Sequence, residues 1–447
     1  MQTREMAYLI LTDIDKGGFA NLLLDQYLNR SEYGLADKAL ITNIVYGTVK
    51  YQLRLDWIIE QLVRNTRKLE IGVRIVLRMS FYQLQFMDRI PPSAVTNEAV
   101  KIVRKHFHTG AAGLVNGVLR NYLRNPDSIL WPHKEDDPVK YLQIIHSHPE
   151  WMIRRWLSRY GYEKTEQLCL FNNKPANLWL RTNTLRTNRA DLLKILAAEG
   201  CVAEAGEYVP EAIRLIKSPG LSSLPSYKEG LFTIQDESSM LVAHVLSPQP
   251  GNKVYDVCAG LGGKTTHLAQ IMDNRGSIIA GDIYEHKLKL IRQSAAQLGI
   301  TIIETLLKNA LNIGPEHHGV YDKVLVDAPC SGLGVLRRRP DARWKKTPED
   351  ILILARLQRE ILQQAVKTVR KGGRIIYSTC TIEAEENEEL ISKFVRDEAT
   401  VKTFDLATVL PYKMKPIEKA QTIQGYRQYL PFNDQMEGFF IAGMQVS

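Results

Sequence analysis

The sequence predicts an α/β protein whose C-terminal part is a mostly parallel, seven-stranded, doubly wound sheet, preceded by an all-α bundle and a small α+β module. Three observations carry this prediction. Apolar residues recur with a helical period from the N-terminus to about Asn125, β-type segments alternate with helical ones from about Phe232 onward, and a glycine-rich loop follows the first of those segments. A chain of 447 residues is also too long for one core, since single cores stop growing at roughly 250–300 residues.

The helical part, 1–128, is periodic in stripes such as Leu40, Ile41, Ile44, Val45 and Val49, and again Ala94, Val95, Ala99, Ile102 and Val103. The break Ile90-Pro91-Pro92-Ser93 ends one helix and starts the next, with Ser93 as the expected N-cap. Residues 129–149 read as an exposed linker, because the surrounding stretch is rich in proline and charge. The module, 150–231 (RRM-like), opens with a helix bearing Trp151, Ile153, Trp156 and Leu157. An alternating strand over 177–184 and a helix closed by Gly200 follow. Trp179, Arg181 and Arg186 make that strand either an RNA-facing surface or a solvated face.

From 232 to 447, strands are expected over 253–257, 277–282, 301–307, 322–328 and 373–379, with helical patterns after the first, second, fourth and fifth. Their Val- and Ile-rich cores suit a parallel sheet buried on both faces. A closing strand over 437–444 is expected to run antiparallel.

With 45% hydrophobic and 24% charged residues, the composition is globular, and a net charge of +9 suits a polyanionic partner such as nucleic acid. No apolar run approaches the roughly 18–20 residues that span a bilayer, and the acidic residues within 1–28 break up any secretory signal, so the expected location is the cytoplasm. The cysteines Cys169, Cys201, Cys258, Cys330 and Cys380 are odd in number and widely spaced, which predicts neither disulfides nor a zinc site.

In an open α/β sheet, ligands sit beyond the carboxyl ends of the strands, and the first strand-to-helix loop admits a cofactor closely. Here that loop is Cys258-Ala259-Gly260-Leu261-Gly262-Gly263-Lys264-Thr265. Cys258 stands where a phosphate-binding P-loop has its first glycine, and Thr265 where a dinucleotide-binding loop has its last, so neither pattern is met. Asp282 ends the next strand, where an acidic residue accepts hydrogen bonds from ribose hydroxyls. Asp256, inside the first strand, either contributes to the site or only orients the loop.

Two further strand ends carry thiols: VLVDAPCSG, with Asp327, Pro329 and Cys330, and RIIYSTCT, with Cys380. A helix expected to begin at Thr381–Glu383 would place Cys380 at a helix N-terminus, which favours a thiolate. After Cys330 comes a basic stretch with Arg337, Arg338, Arg339, Arg343, Trp344, Lys345 and Lys346, a pattern that can hold phosphates and stack a base, or else a solvated loop.

Together, CAGLGGKT, VDAPCSG and YSTCT resemble the signature loops of the RNA cytosine-C5 methyltransferase (Sun-domain, NSUN) family. LADKALITNIVYGTVKYQLRLDW, NEAVKIVRK and GLVNGVLRN are similar to the NusB-like helical domain of its RsmB (Sun/Fmu) branch. The resemblance implies a Rossmann-like class I methyltransferase domain, S-adenosylmethionine as methyl donor without a metal, and small-subunit ribosomal RNA as substrate; the chain is expected to act as a monomer, neither on DNA nor at a membrane. It implies Cys380 as nucleophile on carbon 6, Cys330 as an aid to product release, and Asp327 beside the base. Cys258, Ala259, Gly260, Leu261, Gly262, Gly263, Lys264, Asp282, Asn309 and Asp327 would then line the cofactor.

Two positions depart from the family pattern. Gly260-Leu261 replaces Ala-Pro, and Lys308-Asn309-Ala310 stands where an aspartate is usual beside adenine. The rival readings are a C5 methyltransferase acting on large-subunit or transfer RNA, an exocyclic-amine methyltransferase, and a non-catalytic RNA-binding assembly factor. VDAPCSG lacks the second proline and the aromatic that amine methylation favours, and the two strand-end thiols argue against a non-catalytic role.

Overall fold

The computed structural model describes residues 2–29, 32–413 and 419–447. The chain forms two compact units, Met1–Lys174 with Leu336–Lys345, and Pro175–Val335 with Lys346–Ser447.

The first unit is helical, with helices Thr3–Asp15, Ala20–Asn29, Leu35–Lys50, Gln52–Leu62, Ile71–Phe86, Pro92–His106 and Thr109–Arg124, followed by Pro138–Ile145, Glu150–Tyr160 and Tyr162–Asn173. Helix Ile71–Phe86 is buried almost all round, from Val73 through Gln83 with few gaps, because the other helices pack about it. Two sequence expectations are corrected here. The helix after the double proline is capped at Pro91 and starts at Pro92, so Ser93 lies inside its first turn; proline fits that first position because the missing N–H has no partner there anyway. Residues 129–149 are also more than a linker. Asp137 caps helix Pro138–Ile145 by accepting from the Lys140 amide, and Leu142 and Ile144 are buried, so the acid-proline pair is a helix start. Helices Glu150–Tyr160 and Tyr162–Asn173, expected in the small module, group with the helical unit.

The second unit holds two sheets. The smaller is antiparallel, built from β1 (Leu178–Thr182), β2 (Val202–Ala205), β3 (Ala212–Lys217) and β4 (Phe232–Ile234) in the order β2-β3-β1-β4. Helix Arg189–Ala198 joins β1 to β2 and the short helix Pro225–Lys228 precedes β4, a βαββαβ order. Leu180, Leu192, Leu196, Ile213, Leu224 and Phe232 form its core.

The larger sheet comprises β5 (Lys253–Asp256), β6 (Ser277–Asp282), β7 (Ile303–Leu307), β8 (Tyr321–Asp327), β9 (Val369–Thr379), β10 (Val401–Thr403), β11 (Tyr426–Tyr429) and β12 (Phe439–Val446). Strands β7-β6-β5-β8-β9 are parallel, and β12 is antiparallel to β9. Strands β10 and β11 share the outer edge of β12 in tandem, so eight strands occupy seven positions across the sheet. One face carries Leu241, Val254, Leu268, Leu325, Ile376 and Ile441, the other Tyr255, Val324, Val326, Ile375, Tyr377 and Phe440, an alternation that buries both sides. Helix Pro348–Thr368, which brings the chain back to β9, begins with a capping box between Thr347 and Asp350. The strand order reverses between β5 and β8, the place where such sheets bind ligands.

Candidate active site

Five loops leave the carboxyl edge of the parallel strands on either side of that reversal. After β5 the chain turns through Gly260 and Gly262, both at positive φ, with the Gly262 amide donating to Ala259 O at 2.9 Å. A side chain at Gly262 would bring its Cβ to 2.8 Å from Ile291, so only glycine fits this turn into helix Gly263–Ile271. The Gly260-Leu261 departure thus leaves the turn intact, with Leu261 exposed. Asp256 is buried and accepts from Thr265 Oγ1 at 2.7 Å, and burial pushes its carboxyl up to about 7. It orients the loop from beneath.

Asp282, at the end of β6, accepts from the Gly260 amide (3.1 Å), the Tyr284 amide (2.9 Å) and Lys287 Nζ (3.3 Å). A carboxylate offers about four lone-pair directions, so one remains for a hydroxyl donor. Leu261, Ile283 and Tyr284 are exposed apolar side chains on the same loops, a surface suited to a flat heterocycle. Beyond β7, Asn309 is less available than the sequence suggests. Its Oδ1 accepts from the Leu311 amide at 2.9 Å, closing a local turn, and only its amide group is left to donate.

Asp327 ends β8 directly opposite Ser378 of β9. Its two oxygens take Lys264 Nζ at 2.6 Å and Ser378 Oγ at 2.8 Å, which ties the glycine loop to the thiol-bearing strand ends. Beyond these strands the sulfurs of Cys330 and Cys380 approach to 3.4 Å, each half-buried. The Cys330 thiol is pushed well up, first by its contact with Cys380 and then by burial. Cys258 is also pushed up by burial, which makes it packing beneath the loop rather than a nucleophile. Cys169 and Cys201 are buried and free.

The helix expected to begin just after Cys380 is displaced: a 3-10 turn at Ala384–Glu386 comes first and the α-helix starts at Glu388. The Cys380 segment is held by other means that the sequence reading missed. Glu386 is buried and accepts from the Ser331 amide (2.8 Å), the Ser331 hydroxyl and Gln358 Nε2 (2.9 Å), while Gln358 Nε2 also donates to Pro329 O (2.9 Å). These contacts bracket Cys330 on both sides. The Gly334 amide donates to Cys380 O at 3.0 Å, and a Cβ on Gly334 would collide with Gly438 O at 2.0 Å. The acid in EAEENEE was visible in the sequence, but its aim toward Ser331, 55 residues away, was not.

The basic stretch after Cys330 behaves differently from expectation. Arg343 is fully buried in the helical unit, donating to Lys50 O (3.3 Å), Ser147 O (2.9 Å) and Asn173 Oδ1 (3.1 Å). The Trp344 indole donates to Val49 O at 2.7 Å, and Lys345 Nζ donates to Gly17 O, Gly18 O and Asp341. Arg337 is buried with its guanidinium over the Phe171 ring. Those four side chains anchor the segment in this unit and are corrected from RNA contacts to tethers; Arg338 is half-buried and Arg339 is exposed. The same correction applies to Arg181, fully buried against helix Gly263–Ile271; Arg186 is exposed and donates to Glu229 O. Among the described residues, Glu211, His244 and His267 are the one group of ligand-type side chains close enough to hold a metal, within 4.8 Å of one another, and they lie outside these loops.

No helix of the described residues is long and apolar enough to cross a membrane. Residues 243–445 match the family model described as 16S rRNA methyltransferase RsmB/F, residues 1–124 match the NusB family, and 148–221 match an RsmF/B-like ferredoxin-like domain. The chain is 37% identical to "Probable ribosomal RNA small subunit methyltransferase B" of Bacillus subtilis, over 99% of this chain and 98% of that one. It is 32% identical to ribosomal RNA small subunit methyltransferase B of Serratia proteamaculans, over 91% and 90% of the two chains. A crystal structure of a methyltransferase homologue from Pyrococcus horikoshii superposes with a TM-score of 0.61 at 30% identity, covering 70% of this chain and 99% of that one.

Proposed function

The chain belongs to the RsmB/F family of 16S rRNA methyltransferases, and from that footing we propose that it moves the methyl group of S-adenosylmethionine to carbon 5 of a cytosine in small-subunit ribosomal RNA. By resemblance the target is cytosine 967 in the usual numbering of that RNA. The observation that carries the reading is the pair of thiols 3.4 Å apart at the ends of adjacent parallel strands, on the same edge as the glycine loop and Asp282. The donor supplies an electrophilic methyl on a positively charged sulfur, and the exposed apolar side chains with the open lone pair of Asp282 fit its adenosine part.

Carbon 5 of cytosine is a weak nucleophile, and a sulfur bonded at carbon 6 turns it into an enamine carbon. Cys380 forms that bond as a thiolate, beside a Cys330 thiol whose own ionisation the contact with Cys380 opposes. Asp327, held by Lys264 and Ser378, meets the polar edge of the ring and stabilises the electron shift away from carbon 6. Once carbon 5 carries the methyl group, Cys330, having lost its own proton, takes the carbon-5 proton; the electron pair of that C–H bond restores the double bond between carbons 5 and 6, and Cys380 leaves carbon 6 as a thiolate. The base must be unpaired or flipped out for either sulfur to reach it.

The test is transfer of labelled methyl from S-adenosylmethionine to small-subunit RNA taken from cells that lack the modification. Wild-type protein should label one cytosine and Cys380→Ala none. Cys330→Ala should accumulate a protein-RNA adduct that survives denaturation. Full activity in Cys380→Ala would rule the covalent route out.

A further inference from the structure

We propose that Arg181, carried by the small antiparallel sheet, is a positioning residue for the cofactor loop, so that affinity for S-adenosylmethionine depends on a side chain outside the methyltransferase sheet. This rests on the proposed methyl donor. Arg181 is fully buried at the carboxyl end of β1. Its Nη1 donates to Gly263 O at 2.6 Å and to Gln235 Oε1, and its Nη2 donates to Thr266 Oγ1 at 2.9 Å. Thr266 passes the contact on, because the same hydroxyl donates to Gly262 O at 2.8 Å. One guanidinium thus fixes the carbonyls of Gly262 and Gly263, directly and through one relay.

Those two carbonyls belong to the peptide units that carry the amides of Gly263 and Lys264. In a trans peptide the C=O and N–H point to opposite sides, so anchoring the carbonyls from the small sheet aims these amides away from it. They are among the first N–H groups of helix Gly263–Ile271, which have no acceptor within the helix and are therefore free for a ligand's polar end. The loop's glycines at positive φ are intrinsically mobile, and Gly260 has nothing within 4 Å of a built Cβ, so its shape must be imposed from outside. A buried cation with a planar fork is a stiff means of doing so. Glu211 balances the charge nearby and accepts from His244 Nε2 (2.8 Å) and from His267 of the same helix.

A purely structural role for Arg181 would lower stability and leave ligand affinity alone, and calorimetric titration of the full-length protein with S-adenosylmethionine separates the two. Arg181→Met should raise the dissociation constant on the order of tenfold or more, the size expected for losing a charge-assisted hydrogen bond. Turnover at saturating donor should fall much less. Arg181→Lys should recover part of the affinity, since an ammonium reaches one acceptor but cannot fork. Arg186→Ala, in the turn after β1 and off the loop, should leave the affinity unchanged. Should Arg181→Met not fold, Thr266→Val keeps the cation and removes only the relay, and it should weaken binding as well. Wild-type affinity in a folded Arg181→Met, or in Thr266→Val where Arg181→Met does not fold, overturns the proposal. A wild-type protein that does not bind the donor would instead overturn the function it rests on.

Discussion

The two sheets of the second unit end their strands with the same kinds of polar side chain and treat them in opposite ways. At the end of β1, Arg181, Thr182 and Asn183 are fully buried, and Asn183 alone donates to Gly230 O and Leu298 O while accepting from the Leu185 amide and Gln270 Nε2. At the ends of β8 and β9, Asp327, Cys330 and Cys380 remain half-buried, and the two sulfurs lie 3.4 Å apart. A strand-end polar residue is architecture where it is sealed from solvent and bonded mainly to the protein's own groups, and chemistry where some of its polar atoms face the open edge. Residue type alone does not distinguish them.

The sharpest way to break this contrast is a crossed pair of substitutions. Asp327→Ala should reduce methyl transfer by about 10³-fold, as removal of a preorganised stabilising group does, and leave the melting temperature nearly unchanged. Asn183→Ala should do the reverse, costing about 2–3 kcal/mol of stability through several unmet buried groups while turnover of the folded protein survives. Turnover assays and urea unfolding on both variants check the pair. Equal loss of stability in both would erase the distinction between the two strand ends.

Asp256 is the informative exception, a carboxyl on the catalytic sheet that is buried like the residues of β1. Its folded-state value of about 7 lies above the roughly 3.9 of an unfolded aspartate, with burial the main cause, Asp327 adding to it, and Thr265 and Lys264 opposing. Between those values the unfolded chain loses its proton first, so the group's contribution to stability falls as pH rises from about 4 to 7 and is constant above. Asp256→Asn keeps the Thr265 contact and removes the penalty. The variant should therefore gain on wild type across that window, by on the order of a few kcal/mol at pH 8, read as the difference between urea unfolding at pH 5 and pH 8. A gap that does not widen with pH would mean that Asp256 is ionised without cost.

Legibility in the sequence follows the same line. The parallel strands, the glycine loop and both thiols were readable because each depends on local pattern: Val and Ile runs for buried strands, glycine for positive φ, and a break after each strand for the sheet edge. The fate of the arginines was not, because it is decided by partners far away in the chain. Arg343 meets Lys50 O across 293 positions and Arg181 meets Gly263 O across 82, and nothing near either residue marks it as buried. Composition misled in the same way at 129–149, where Asp137-Pro138 looked like a linker and is a helix cap. The displaced helix after Cys380 has a local cause that was overlooked: Glu386 turns inward to Ser331 and Gln358, and Asn387 donates to Thr381 O, so these residues are held by side-chain contacts before the helix can begin.

The smallest predicted effect concerns the two thiols at the open edge. Cys330 is held protonated first by its contact with Cys380 and only then by burial. In Cys380→Ala the first cause disappears, and the Cys330 thiol should ionise at lower pH than in the wild type. Iodoacetamide labelling of Cys330, read by peptide mass spectrometry across a pH series, measures this directly, and the midpoint should move down. On the proposed reaction the same change occurs each cycle: when Cys380 bonds to carbon 6 its sulfur becomes an uncharged thioether, and Cys330 is released to give up its proton at the stage where product must leave. An unchanged midpoint would mean that burial alone sets the Cys330 thiol, and that the 3.4 Å contact is packing of the kind found at the end of β1.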